Sequence, residues 1–149
     1  MFLPTIFSDT TMATQEVGEN FIRSEGDIVT CRKLIRNATT TAGFGMTDIT
    51  RIVTAVSELA RNVYVHAGSE GVMRWQVLQR PGKIGIELVF EDHGKGIPDV
   101  NQAMEAGFST AGSMGIGLSG VKRLMDEMDI KSEVDVGTTI TVTKWGRAK

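Results

Sequence analysis

The segment Glu58-Leu59-Ala60-Arg61-Asn62 places a carboxylate and a carboxamide four residues apart within a stretch of helical periodicity. At that spacing the two side chains stand one turn apart on the same helix face. A neutral amide oxygen suits Mg²⁺, which wants six close oxygens and takes most of them from phosphates and water. A carboxylate one turn earlier can accept a proton from an attacking hydroxyl or orient a water. An acid and an amide at this spacing also occur on solvated helix faces, so the pair gains meaning only from its neighbours.

Asp92-His93-Gly94-Lys95-Gly96-Ile97 supplies those neighbours. Asp92 ends an apolar run, and an ionised carboxylate only accepts hydrogen bonds, which matches an exocyclic amine such as adenine N6. Gly94 and Gly96 permit positive φ and the close approach of a flat base. The same letters also suit a plain polar turn after a strand. His93 reads as a surface residue, and His66 as a complement to the dipole of the helix it ends.

Gly115-Ile116-Gly117-Leu118-Ser119-Gly120 matches the glycine pattern of dinucleotide-binding folds. That motif requires a preceding strand, whereas residues 107–114 (GFSTAGSM) have no periodicity and read as a mobile loop. Only 29 residues follow Gly120, too few for the rest of a doubly wound domain. Val121 stands where a P-loop would need lysine. A phosphate grip therefore rests on backbone amides at a glycine-rich helix start, on Mg²⁺, and on hydroxyls such as Ser109 and Thr110. Taken together the motifs describe a nucleotide held by a carboxylate, a bare backbone and one metal ion.

The elements that must position these groups are legible in outline. Residues 17–23 alternate weakly and read as an edge strand. Asp27 is a plausible cap for a helix reaching Ala42, with Ile28, Cys31, Leu34, Ile35 and Ala38 at helical spacing and Gly43 and Gly45 ending it. Thr47 or Asp48 caps a longer helix whose stripe is Ile49, Ile52, Val53, Val56, Leu59, Ala60 and Val63. Glu58 and Asn62 flank that stripe. Residues 68–71 form a turn. Residues 72–79 and 83–91 form a hairpin around Pro81-Gly82, with Ile84, Ile86, Leu88 and Phe90 on one face. Pro98 opens a short helix, a helix begins at Val121, and strands cover 130–136 and 138–145. This order predicts a two-layer α/β (α+β) sandwich, a mixed but mostly antiparallel sheet with helices on one face. The opposite face can stay wet or serve a partner.

Bulk properties narrow the function classes. The chain of 149 residues is long enough for one domain with its own core, expected at 17–146 behind a disordered tail at 1–16. Met12 is an alternative start. A net charge of −2 and a pI near 5.7 argue against nucleic acid as the main partner. No run reaches the roughly 18 apolar residues of a membrane span. The single cysteine, Cys31, reads as a core or boundary thiol, not a nucleophile, in a reducing, cytoplasmic setting.

In combination the motifs resemble the Bergerat-fold (GHKL) ATPase and kinase superfamily, which joins histidine kinases, type II topoisomerases and anti-sigma-factor serine kinases. Glu58 and Asn62 match its N box, Asp92, Gly94 and Gly96 its G1 box, and Gly115 and Gly117 the G2 box that closes the ATP lid. Gly137-Thr138-Thr139 looks like the terminal strand motif whose threonine helps hold adenine, with Thr138 the better match. Within the superfamily, SELARNVYVHAG, EDHGKGIPD, AGFSTAGSMGIGLSGVKRLMDE and GTTITVTKW look most like RsbT-type serine/threonine kinases. The resemblance implies Glu58 as catalytic base and Mg²⁺ on Asn62. It implies ATP contacts from Asn62, Asp92, Gly94, Gly96, Ile97, Ser109, Thr110, Gly115, Gly117, Leu118 and Thr138. It further implies a switch kinase that phosphorylates STAS-domain partners and activates a PP2C-type phosphatase. The alternative is an anti-sigma factor that sequesters a sigma factor and phosphorylates its antagonist. The absence of arginine between Phe108 and Leu118 departs from the anti-sigma pattern and favours the switch kinase. A histidine kinase would need a phosphoacceptor helix pair for which this chain has no room.

Overall fold

A computed structural model describes residues 13–66, 71–105 and 116–148. The elements run β1 (Ala13–Ile22), α1 (Glu25–Ala42), α2 (Met46–His66), β2 (Gly71–Arg80), β3 (Lys83–Asp92), α3 (Val100–Ala103), α4 (Gly117–Leu124), β4 (Glu127–Glu133) and β5 (Gly137–Arg147). The strands form one sheet in the order β1-β2-β3-β5-β4. Every strand pairing among the described residues is antiparallel, so the sheet is not mixed.

Period-two alternation decides which sheet face is covered. Ile84, Ile86, Leu88 and Phe90 of β3 are buried, as are Met73, Trp75 and Val77 of β2 and Ile140 and Val142 of β5. Against them lies the full predicted stripe of α2, from Ile49 to Val63, together with Ile28, Cys31, Ile35 and Ala38 of α1. The opposite face carries the charge. Arg74 bridges Glu19 and Glu91, each at 3.0 Å, and the Glu91 hydrogen bond is the main reason its guanidinium holds its proton more tightly than usual. Gln76 donates to Glu87 at 2.9 Å. The Trp145 ring lies under both Arg80 and Lys83 while its indole N–H donates to Glu127. Cys31 is the buried thiol expected, and burial pushes its pKa up. No described helix is long and apolar enough to cross a membrane.

Several boundaries move for physical reasons. Ser24, not Asp27, caps α1; Asp27 sits at N3 and accepts from the Ser24 N–H, closing a reciprocal capping box. β1 begins at Ala13, ahead of residue 17, because backbone pairing with β2 carries it through a bulge between Thr14 and Glu16. α2 starts at Met46, before both proposed caps, with Asp48 in its first turn. Gly71, assigned to a turn, is the first residue of β2. Asp99 caps α3, leaving Pro98 outside the helix. β4 spans Glu127–Glu133, earlier than the apolar letters suggested, since Asp135 takes φ +66° and turns the chain before Gly137. α4 starts at Gly117, four residues before Val121, so the glycine-rich segment forms the first turn of the helix itself.

Candidate nucleotide site

Glu58 and Asn62 lie at the border of the buried α2 stripe, as their spacing implied. Glu58 is only 9% exposed, and both its oxygens are engaged: Oε1 accepts the Gly117 N–H at 3.3 Å and Oε2 pairs with Arg61 Nη1 at 3.3 Å. The N-cap of α4, Ile116, offers no side-chain hydrogen bond, and the first turn of α4 contains no acid. Glu58 therefore reaches from α2 to place its negative charge at the positive end of α4. Asn62 is half-buried, and its carboxamide makes no hydrogen bond among the described residues.

Asp92 closes β3 and stands opposite Thr138 of β5 on one side and Gly71 of β2 on the other. Its Oδ1 accepts the Gly94 N–H at 2.9 Å. Oδ2 makes no hydrogen bond among the described residues. Gly71 makes the junction possible. A Cβ there would run into Val63 Cγ1, would sit 2.6 Å from the Glu91 carbonyl oxygen and would press on Asp92. The helix turn carrying Asn62 and the strand end carrying Asp92 thus meet with no room for a side chain between them. We expect Gly71→Ala to destabilise the fold by about 1–3 kcal/mol, the usual scale of overpacking. Urea unfolding measures it, and an unchanged midpoint would show that the junction is loose.

The glycine loop is fastened to the β4–β5 turn. Gly96 takes φ +77°, and a Cβ on it would collide with the Glu133 carbonyl oxygen. Gly94, expected to share that freedom, is not among the described glycines with positive φ. Asp135 N–H donates to the Lys95 carbonyl at 2.8 Å. Ile97 N–H donates to Ser132 Oγ at 2.7 Å, and Ser132 Oγ lies 2.8 Å from Thr138 Oγ1. Gly137, at φ +142°, lets its backbone pass against Asp92 and His93. Leu118 is buried in the core, and Ile97 is partly buried and packs against that core. Ser109, Thr110 and Gly115 lie outside the described residues, as does the His66 side chain. His93 is exposed, as expected.

A pocket of about 320 Å³ opens at this end of the sheet, lined by Asp92, Ser132 and Thr138 together with Glu91, Lys131 and Thr139 of the outer face. It covers the Asp92 end of the site and spills over the strand ends, while Glu58, Asn62 and Gly117 lie beyond its lining. Three contributors escaped the motif reading: Arg61, Gly71 and Ser132. Ser132 left a signal, being a hydroxyl at an inward strand position two residues after Ile130.

An acceptor and a hydroxyl thus stand side by side at a strand end, and a buried carboxylate of α2 stands at the start of α4. Residues 21–144 match the family described as the histidine kinase-like ATPase domain. The chain belongs to that family. Among curated proteins it is 51% identical over 126 residues to the serine/threonine-protein kinase RsbT of Bacillus subtilis, covering 85% of this chain and 94% of that one. It is 32% identical to the anti-sigma F factor of Geobacillus kaustophilus over 66% of this chain and 70% of that one. Among solved structures, the RsbU and RsbW domains of a Mycobacterium tuberculosis protein share the fold at TM-score 0.59 and 20% identity, over 87% of this chain and 32% of that one.

Proposed function

We propose that this ATP-dependent protein serine/threonine kinase phosphorylates STAS-domain partner proteins in a bacterial stress-signalling partner switch and activates a PP2C-type phosphatase when released from them. The kinase activity itself follows from the family and from the identity with a serine/threonine-protein kinase along nearly its whole length. The observation that carries the site assignment is the contact between Glu58 of α2 and Gly117 at the start of α4. It puts the candidate base beside the backbone amides suited to phosphate.

The roles follow from position. Asp92 Oδ2 accepts from the adenine amine and Thr138 Oγ1 meets the neighbouring ring edge. Gly94 and Gly96 keep side chains off the base. The Gly117 amide, and Gly115, Ser109 and Thr110 in the preceding segment, hold phosphate. Glu58 Oε2 or Oε1 takes the proton of the attacking hydroxyl. Among the described residues no three His, Cys, Asp or Glu side chains converge. One neutral amide fits Mg²⁺, which draws its other oxygens from phosphate and water. Asn62 would hold the ion, whose charge would offset that of the triphosphate. A cytoplasmic location accords with such partners.

Incubation with γ-labelled ATP and the STAS-domain proteins of the same organism tests the proposal, and label on a serine or threonine of a partner is expected. ATP binding without label on any of them would overturn it. The anti-sigma relatives support a second reading, sequestration of a sigma factor. A nucleotide-sensitive complex with a sigma factor in a pull-down would favour that reading.

A further inference from the structure

We infer that Ser132 is a positioning residue that fixes the Thr138 hydroxyl as a hydrogen-bond donor toward the ligand, and so adds to selection of adenine over guanine. The inference rests on the ATP reading of the site. Ser132 and Thr138 are direct cross-strand partners in β4 and β5, and Thr138 pairs on its other side with Asp92. Thr138 is 8% exposed, and both hydroxyl residues line the pocket beside Asp92.

Ser132 Oγ carries one proton and two lone pairs. One lone pair is taken by the Ile97 N–H at 2.7 Å. Its proton has two acceptors in reach, Thr138 Oγ1 at 2.8 Å and the Gly137 carbonyl at 3.3 Å. Hydroxyl hydrogen bonds are normally 2.5–3.0 Å, so the second contact is weak. Turning the Ser132 proton to Thr138 sacrifices little, and it leaves the Thr138 proton available to a ligand.

The edge then reads acceptor at Asp92 and donor at Thr138. Adenine presents the complement, an amine proton at N6 and a lone pair at N1. Guanine presents the reverse, an oxygen at C6 and a proton on N1, against which both protein groups would be mismatched. Sites built to hydrogen-bond a particular edge reject ligands that leave their buried groups unpaired. Asp92 checks one atom of the edge. Ser132, through Thr138, checks the next.

Isothermal titration of wild type, Ser132→Ala and Ser132→Thr with ATP and with 1-deaza-ATP, which has C–H in place of N1, tests this directly. Ser132→Ala is expected to weaken ATP by about two- to tenfold, the scale of one hydrogen bond. It should leave 1-deaza-ATP within about twofold, because no N1 acceptor remains to be served. Ser132→Thr keeps the hydroxyl and should bind ATP like wild type. An equal loss for both nucleotides would mean that Ser132 merely holds the loop through Ile97, and no loss for ATP would remove its role altogether. Either result overturns the inference while the ATP site stands. Wild type that binds neither nucleotide would defeat the ATP site itself.

Discussion

Asp92→Asn is expected to bind ATP about a hundredfold more weakly than wild type, with its fold intact. The asparagine oxygen can keep the 2.9 Å bond from the Gly94 N–H, so the loop conformation survives. The other position becomes an NH₂ group. It then faces the adenine amine, donor against donor, where wild type offers a charged acceptor. Hydrogen bonds to charged groups contribute about 1.5–3 kcal/mol, or about ten- to a hundredfold in affinity, and leaving two donors opposed adds to the loss. Calorimetry with Mg²⁺ present reads the change, and circular dichroism confirms the fold. An Asn variant that holds ATP as tightly as wild type would place adenine elsewhere, and the pocket beside Thr138 would lose its assignment.

Glu58→Gln is expected to slow phosphoryl transfer by about two to four orders of magnitude, the range of a positioned general base, while shifting the ATP dissociation constant by less than about threefold. Glutamine is the informative replacement because Glu58 has two duties. Its Oε1 accepts the Gly117 N–H, and the amide oxygen of glutamine can still do so. Alanine would also uncap α4 and leave Arg61 without its 3.3 Å partner, mixing a structural loss with a chemical one. Rapid-quench measurement of transfer to a STAS substrate separates the two effects from binding. Equal rates for wild type and Gln would remove Glu58 as the base and leave it as a cap for α4. A fall in ATP affinity matching the fall in rate would point the same way.

The two expectations divide the site into a half that recognises the base and a half that moves the phosphoryl group. Asp92, Thr138 and Ser132 sit on adjoining strand ends, whose backbone ladder fixes their separation. Glu58 and Gly117 sit on two helices joined here by one 3.3 Å hydrogen bond. On the proposed reading, recognition would rest on strand ends tied by a backbone ladder, and the phosphate end on a contact between two helices that nucleotide could share or displace.

Much of this was written in the chain itself. Helical spacing announced the α2 stripe, and alternation in residues 84–90 announced the covered face, because side-chain direction repeats locally in both elements. Residue types at Glu58, Asn62 and Asp92 suggested the chemistry proposed for them above. What local pattern could not decide was contact across the chain. The letters place the helix start at Val121, yet Gly117–Gly120 is already helical, with a carboxylate 59 residues away at its start. Gly71 looks like a turn, but its lack of a side chain lets α2 meet the end of β3. Ser132 is one hydroxyl among many until register sets it opposite Thr138. Side-chain chemistry and periodicity are properties of neighbours along the backbone. Which donor faces which acceptor depends on packing and strand register, and those exist only once the chain has folded.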